Sequence, residues 1–285
     1  MNDHPLVVTG ASGFIGRNLL RRLCNTRLQV CALVRGSADR LPTASNLSIK
    51  RVSRYCDHIP APGAVLVHLG EPSHIVGLET TPHIEAMVAQ AEALLRREYM
   101  CVVYASSATV YSDDHDVELP TDAPVRLGRK IYADSKIEVE KLLSKAGGII
   151  ARVTNVYGRG MSDINIFSDI LAQLSQTGPL KIREATPIRE YLWVDDLTEC
   201  LTAMACNPVS GTYNVSTNEP ISCADLAKKI LERAGQTGRP VEAQLPPRRS
   251  VLRLDTRKTE KTFGWRPKVS LVMGIDTLLK DVGDE

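Results

Sequence analysis

Several short stretches of this chain are dense in apolar residues and show no alternation of apolar with polar. Pro5-Leu-Val-Val-Thr9, Leu28-Gln-Val-Cys-Ala-Leu-Val34, Ala64-Val-Leu-Val-His-Leu69 and Met100-Cys-Val-Val-Tyr-Ala105 are each strand-sized, and Leu47 to Val52 reads as a further strand. A strand apolar on both faces must be covered on both faces, which is the condition of a parallel sheet packed between two layers of helix. The segments between them supply such helices. Phe14 to Cys24 carries apolar residues at helical spacing, and Thr81 to Tyr99 places Ile84, Met87, Val88, Ala91, Leu94 and Leu95 on one face. Thr81 is the expected N-cap of that helix, and Pro82 suits its first turn. Ile131 to Lys145 predicts a long helix that Gly147-Gly148 ends before a strand at Ile149 to Val153. The pattern specifies an α/β fold, a Rossmann-like doubly wound parallel sheet. Right-handed crossovers would bring the C-terminal end of every strand to one edge, where such sheets bind ligands.

Beyond residue 157 the alternation becomes irregular. Helices are expected at Asp163 to Ser175, Asp195 to Ala205, Ser222 to Arg233 and Leu271 to Leu279, with short strands at Leu180-Ile182, Tyr191-Val194 and Thr212-Val215. The division this implies is a dinucleotide-binding domain over 1–157, rejoined by a return segment at about 189–216, and a smaller substrate lobe within 158–285. In 285 residues, 35 Lys and Arg face 33 Asp and Glu, a formal charge of +2. That balance leaves no broad electrostatic footprint for nucleic acid, while a local basic site for a phosphate stays open. No apolar run approaches the ~20 residues needed to span a bilayer, so no membrane partner is expected. The seven cysteines include no C-x-x-C pair, and several lie in apolar segments, the pattern of reduced core thiols. With no signal-like N-terminal segment, a cytoplasmic protein is the expectation.

Three groups of residues carry chemistry. Gly10-Ala-Ser-Gly13-Phe-Ile-Gly16 lies between the first strand and the first helix. Small residues there let backbone N–H groups approach a pyrophosphate at the helix N-terminus. The spacing is G-x-x-G-x-x-G rather than the G-x-G-x-x-G of the usual dinucleotide fingerprint. The second strand ends Ala32-Leu-Val-Arg35-Gly36, with no acid to accept from a ribose 2′-hydroxyl. Arg35 can instead pair with a 2′-phosphate, which favours NADP over NAD; a solvated surface arginine is the alternative. Tyr132 and Lys136 stand four apart on the long helix and so share a face. An ammonium beside a phenol favours phenolate, as a tyrosine acid/base requires. Ser106-Ser107 leaves the end of the fifth strand, where a hydroxyl can reach a reacting oxygen or simply satisfy a turn.

Together the glycine triplet, Ser107, Tyr132 and Lys136 resemble the extended short-chain dehydrogenase/reductases, especially the NAD-dependent epimerase/dehydratase family of nucleotide-sugar enzymes. The likeness runs nearly the whole length. It takes in Ala64 to Leu69, Ser106-Ser107-Ala-Thr-Val-Tyr111, Arg152-Val-Thr-Asn155-Val-Tyr-Gly158, Arg189-Glu-Tyr-Leu-Trp-Val-Asp-Asp196, Tyr213-Asn-Val215 and Gly264-Trp-Arg-Pro267. The resemblance implies a cofactor site formed by Gly10, Ser12, Gly13, Phe14, Ile15, Gly16, Arg35, Leu69, Gly70, Tyr132, Lys136 and Val153. It implies catalysis by Ser107, Tyr132 and Lys136. It further implies that Ser107, Asn155, Arg189 and one of Arg248 or Arg249 contact a nucleotide-diphosphate sugar, since guanidinium forks match phosphate oxygens. No metal is implied, and a homodimer is left open.

The activity so implied is hydride transfer at a sugar carbon, C4, by an epimerase or a 4-keto reductase. The alternatives are a nucleotide-sugar dehydratase and a non-catalytic dinucleotide sensor on the same fold. Four departures from the family pattern stand out: Glu71 beside Gly70 where two small residues are usual, Ser112 after Tyr111, Arg183-Glu-Ala185 in place of a G-x-G hairpin, and Glu190 in place of aspartate. Asp113-Asp-His-Asp116 reads as a solvated loop, Asp195-Asp196 as a helix cap, and His68, His74 and His83 lack the spacing of metal ligands.

Overall fold

A computed structural model describes residues 4–71, 81–114, 116–128 and 131–283. Its centre is a seven-stranded, wholly parallel sheet. Strands β1 (Leu6–Thr9), β2 (Val30–Val34), β3 (Leu47–Arg51), β4 (Val65–His68) and β5 (Cys101–Ser107) are joined by Ile149–Val153 and Gly211–Val215. From one edge the order is Gly211–Val215, Ile149–Val153, β5, β4, β1, β2, β3. β1 and β4 are buried along their whole length, as their two-sided apolar composition requires. The outermost strand β3 is largely exposed, which explains why Leu47 to Val52 is the most polar of the set.

Helices α1 (Phe14–Leu23), α2 (Thr81–Leu95) and α3 (Ile131–Lys145) cover the two faces. On one face α1 and the helix Val194–Cys206 bury Leu19, Leu20, Leu23, Leu197, Leu201 and Met204 against β1, β2 and β4. On the other, Met87, Ala91 and Leu94 of α2 and Val139 and Leu143 of α3 pack on Val7, Leu66, Val102 and Tyr104. Both α2 and α3 begin where the apolar periodicity places them. The proposed cap at Thr81 involves a side chain outside the described residues.

The C-terminal part adds a second core around Tyr157, Phe167, Tyr191, Trp193, Leu226, Ile230 and Ile275. Here the sequence reading needs correction. The helix expected over Asp163 to Ser175 is only Ile166–Leu171, because Asn165 caps it by accepting from the N–H groups of Phe167 and Ser168. The helix Arg257–Phe263 carries no apolar stripe and ends at Gly264, whose left-handed φ of 63° suits a residue without a Cβ. Asp195 and Asp196 do not cap their helix; both lie inside its first turn, behind Trp193. Asp196 instead accepts from the backbone N–H groups of Lys268 and Val269 at 3.0 and 2.9 Å. It thereby ties residues 268–269 to the helix Val194–Cys206. Glu190 is buried, accepting from Ser216 Oγ at 2.7 Å and Leu254 N at 2.9 Å.

All seven cysteines are free thiols. Among the described residues no helix is long and apolar enough to cross a membrane, and no group of three or more His, Cys, Asp or Glu is placed to hold a metal ion.

Candidate active site

The parallel order brings the C-terminal ends of β1, β4, β5 and Ile149–Val153 to one edge, and most of the residues singled out by sequence lie there. Gly10 follows β1 with φ of 64°, and a Cβ there would lie 2.5 Å from the carbonyl oxygen of Leu69. The turn closes with Gly13 N–H on Gly10 O at 2.9 Å. A Cβ on Gly16 would collide with the Gly10 and Ala11 backbone, so helix and loop touch main chain to main chain. α1 then starts with Gly13 as N-cap, with no side-chain cap and no acid in its first turn. Among the described residues no side chain claims its leading N–H groups, as an anion site at a helix N-terminus requires. This loop fits a dinucleotide pyrophosphate.

Sequence reasoning missed the residue that walls this loop. Tyr55, after β3, is buried, its hydroxyl accepts from Gly10 N at 3.2 Å, and its ring lies against Gly70 so closely that a Cβ on Gly70 would collide with it. The exposed Arg35 guanidinium stacks over the same ring at 5.0 Å. A tyrosine in a polar segment gives no local sign of such a role; only the sheet order brings it beside the glycine turn.

Ser107 ends β5 and is half-buried. Its Oγ accepts from Thr109 N at 3.2 Å and from Thr109 Oγ1 at 2.9 Å. Both contacts use the oxygen as acceptor, so its own proton remains available to donate. Tyr132 and Lys136 share the inner face of α3. The Lys136 Nζ stands 5.6 Å from the centroid of the Tyr132 ring and 4.6 Å from that of Tyr104.

Lys136 is buried, and its ammonium is not alone. It donates to Glu71 Oε2 at 2.6 Å and to Ala105 O at 2.8 Å. Tyr104 OH donates to the same Glu71 oxygen at 2.6 Å. Burial opposes the ammonium's charge, but the Glu71 carboxylate beside it prevails and holds the Lys136 pKa above its ordinary value. A lone ammonium facing the phenol is thus replaced by an ion pair, the consequence of a carboxylate where small residues were expected. Among the described residues, two of the three Lys136 donors have acceptors.

Behind the pair, His68 Nδ1 and Thr9 Oγ1 are 2.6 Å apart, and His68 Nε2 faces Glu71 Oε1 at 3.8 Å, neither of these last two atoms having a hydrogen-bond partner among the described residues. Burial drives the His68 pKa down to about 4, with Lys136 and Arg35 adding to the effect and Glu71 opposing it. The ring is therefore neutral near pH 7. His83 lies on α2, and His74 lies outside the described residues.

Next to Ser107 opens a cavity of about 280 Å³ lined by Ser107, Thr109, Tyr111, Asp113, Asn155, Arg189 and Arg248 among others. Val153 and Ala133 form part of its wall. Asn155 Nδ2 reaches Glu190 O at 3.4 Å. Arg189 is held by Ser250, donating to its carbonyl at 3.0 Å and to its hydroxyl at 2.7 Å. Of the two adjacent arginines, Arg248 lines the cavity and Arg249 is exposed outside it. Asp113 corrects the expectation of a solvated loop. Its carboxylate lies 3.6 Å from Arg189 and 3.7 Å from Arg248 and accepts from Ser250 Oγ, while Asp114 and Asp116 remain about half exposed. A larger space of about 420 Å³ at the opposite, N-terminal edge of the sheet is lined by Gln29, Asn46, Lys50 and His58 and holds none of these residues.

A glycine turn feeding an uncapped helix thus shares one sheet edge with Ser107, the Tyr132–Lys136 face and a cavity containing arginines. Residues 6–216 match the NAD dependent epimerase/dehydratase family, and the chain belongs to that family. It is 28% identical to a UDP-glucose 4-epimerase of Mycolicibacterium smegmatis over 94% of this chain and 95% of that protein. The fold is shared with a dTDP-glucose 4,6-dehydratase from Bacillus anthracis in complex with NAD, at a TM-score of 0.85 and 16% identity over 99% of this chain and 97% of that one. It is shared also with a UDP-glucose 4-epimerase from Thermotoga maritima solved with UDP-glucose, at a TM-score of 0.84 and 20% identity over 98% and 99% of the two chains.

Proposed function

We propose that the chain is an NAD(P)-dependent nucleotide-sugar epimerase or 4-keto reductase acting at a sugar carbon, C4, with Tyr132 as acid/base. The observation that supports this reading is the gathering, at one sheet edge, of the uncapped α1 N-terminus, Ser107, the Tyr132–Lys136 face and a cavity with Arg189 and Arg248. In this reading Gly10, Ser12, Gly13, Phe14, Ile15 and Gly16 hold the pyrophosphate, with Leu69, Gly70 and Val153 behind the nicotinamide half. The dinucleotide, when bound, supplies and accepts the hydride.

The remaining chemistry belongs to the protein's own side chains. Ser107 turns its unused proton towards the reacting sugar oxygen. Tyr132 takes up or returns the proton of that oxygen, and Lys136 gives its remaining donor to the nicotinamide ribose. Asn155, Arg189 and Arg248 meet the diphosphate, where paired N–H donors suit phosphate oxygens. Arg35, exposed over Tyr55, faces the adenosine end, and a 2′-phosphate would gain charge-assisted bonds from it, which favours NADP over NAD. Water loss would need an acid and a base, and Ser107-Ala108-Thr109 after β5 carries no carboxyl, so a nucleotide-sugar dehydratase is kept as the second reading. The dinucleotide-holding part is 1–157 with 189–216, and the substrate part is the remainder of 158–285.

The test has two readouts. Native mass spectrometry of the purified protein distinguishes a retained dinucleotide, expected of an epimerase, from one exchanged at each turnover. With UDP-glucose or a 4-keto nucleotide sugar as substrate, Tyr132→Phe is expected to lower turnover by about 10²–10⁴-fold, the usual share of general acid/base catalysis, while dinucleotide affinity stays within a few-fold. Turnover near that of the parent removes Tyr132 from this role.

A further inference from the structure

The cavity proposed to take the diphosphate is already charge-balanced by the protein. Arg189 and Arg248 bring two positive charges, and each meets a carboxylate. Asp113 stands 3.6 and 3.7 Å from the two guanidinium groups, and Arg248 is gripped from its other side by both oxygens of Glu184, one of them through Nε and the other at 3.2 Å from Nη2. The Arg248 bond pulls the Glu184 carboxyl below its ordinary value, so it stays ionised. Asp113 differs from Glu184 in position. One of its oxygens reaches both arginines at once and is fixed by Ser250 Oγ, whose hydroxyl also accepts from Arg189 Nη2 at 2.7 Å. The side chains of Asp113 and Arg189 are only 14% and 17% exposed, so water screens their attraction incompletely.

From this geometry we propose that Asp113 determines the site's affinity for substrate: its carboxylate occupies the place of a phosphate between Arg189 and Arg248, and the diphosphate has to displace it. The proposal rests on the reading of this cavity as the diphosphate site. A diphosphate entering with Asp113 unmoved would put its negative charge against a carboxylate in a partly buried site, where like charges repel. Asp113 sits in the loop that follows Tyr111 rather than in a sheet strand, so its side chain can give way while Arg189, on the strand Ile188–Arg189 and braced by Ser250, stays. With Asp113 as a surrogate anion, the two guanidinium groups stay aligned without substrate, at the cost of weaker binding when substrate arrives.

Calorimetric titration of the full chain with UDP tests this. Asp113→Asn keeps the size of the side chain and its bond to Ser250 while removing the competing charge. It is expected to bind UDP about tenfold more tightly than the parent, ~1.4 kcal/mol, and with a steeper loss of affinity on adding salt. Asp113→Ser is expected to change affinity in the same direction and serves if the amide variant does not fold. Arg189→Ala is the control for the site itself. If the parent binds UDP, Arg189→Ala loses that binding, and both Asp113 variants bind equally or more weakly, then Asp113 is a positioner of Arg189 and the proposal is overturned alone. If the parent does not bind UDP and no variant does, the diphosphate reading falls and this proposal with it.

Discussion

Two buried carboxylate–cation pairs lie side by side at the ligand edge of the sheet, and they are finished differently. In the first, Glu140 on α3 meets Arg152 in a forked arrangement, with Nε at 3.1 Å from one oxygen and Nη2 at 2.7 Å from the other. Ser106 Oγ donates to Glu140 at 2.5 Å, Arg152 Nη1 donates to Thr121 O at 3.1 Å, and the guanidinium lies 4.7 Å from the centroid of the Tyr111 ring. Both carboxylate oxygens and the guanidinium have partners. In the second, one Glu71 oxygen accepts from both Lys136 and Tyr104, while Glu71 Oε1 and the neighbouring His68 Nε2 have no partner among the described residues. A saturated pair can only brace the structure. The unsaturated one keeps a donor on Lys136 and an acceptor on Glu71 at the place where chemistry is proposed. A buried polar group without a partner carries a cost, and such costs concentrate where function needs them.

This contrast can be broken from either side. The largest effect is expected from Arg152→Ala, which strands Glu140 inside the protein. Removing one partner of a buried pair costs about 3–5 kcal/mol, and chemical denaturation should show a loss of that size. Next comes acid. His68 has a folded pKa of about 4 against an ordinary 6.5, so the unfolded chain takes up its proton first. The stability that depends on a neutral His68 is whole above pH 6.5 and declines as pH falls towards 4, by on the order of 3 kcal/mol. His68→Asn should flatten that part of the denaturation profile, and an unaltered slope would assign the acid sensitivity to other groups.

Glu71→Gln tests the second pair directly. The amide oxygen can still accept from Lys136 and Tyr104, and its NH₂ can turn to His68, so a stability loss of only about 1–2 kcal/mol is expected, smaller than for Arg152→Ala. If the cost equals that of Arg152→Ala, the two pairs are equally structural and the contrast disappears. The smallest effect belongs to the exposed Arg35. Arg35→Ala should remove most of a roughly tenfold preference for NADPH over NADH, measured by fluorescence titration, and the parent's preference should shrink with salt. Equal affinities in the parent would make Arg35 a surface residue.

Much of this molecule is legible from local pattern. The two-sided apolar runs, the glycine turn and the spacing of Tyr132 and Lys136 each lie within a few residues, and helix and strand periodicity translate them without reference to the rest of the chain. The strand Ile149–Val153 and the helix Ile131–Lys145 fall where the sequence places them. The C-terminal part is less legible for a physical reason. Arg257–Phe263 buries only Thr259 and so shows no apolar stripe, and Ile166–Leu171 is too short for one.

The line between the two kinds of information runs through the site itself. Sequence determines the backbone frame, because a left-handed glycine, a buried strand and a helix face are each dictated by neighbours in the chain. Tertiary structure decides the charges, because ion pairs form between side chains remote in sequence. Glu71 reaches Lys136 65 positions away, and Ser250 reaches Asp113 across 137. Nothing in the composition of a loop such as Ser112-Asp-Asp114 tells which carboxylate will face solvent and which will lie between two arginines; that depends on which strand ends the sheet order brings to the same edge.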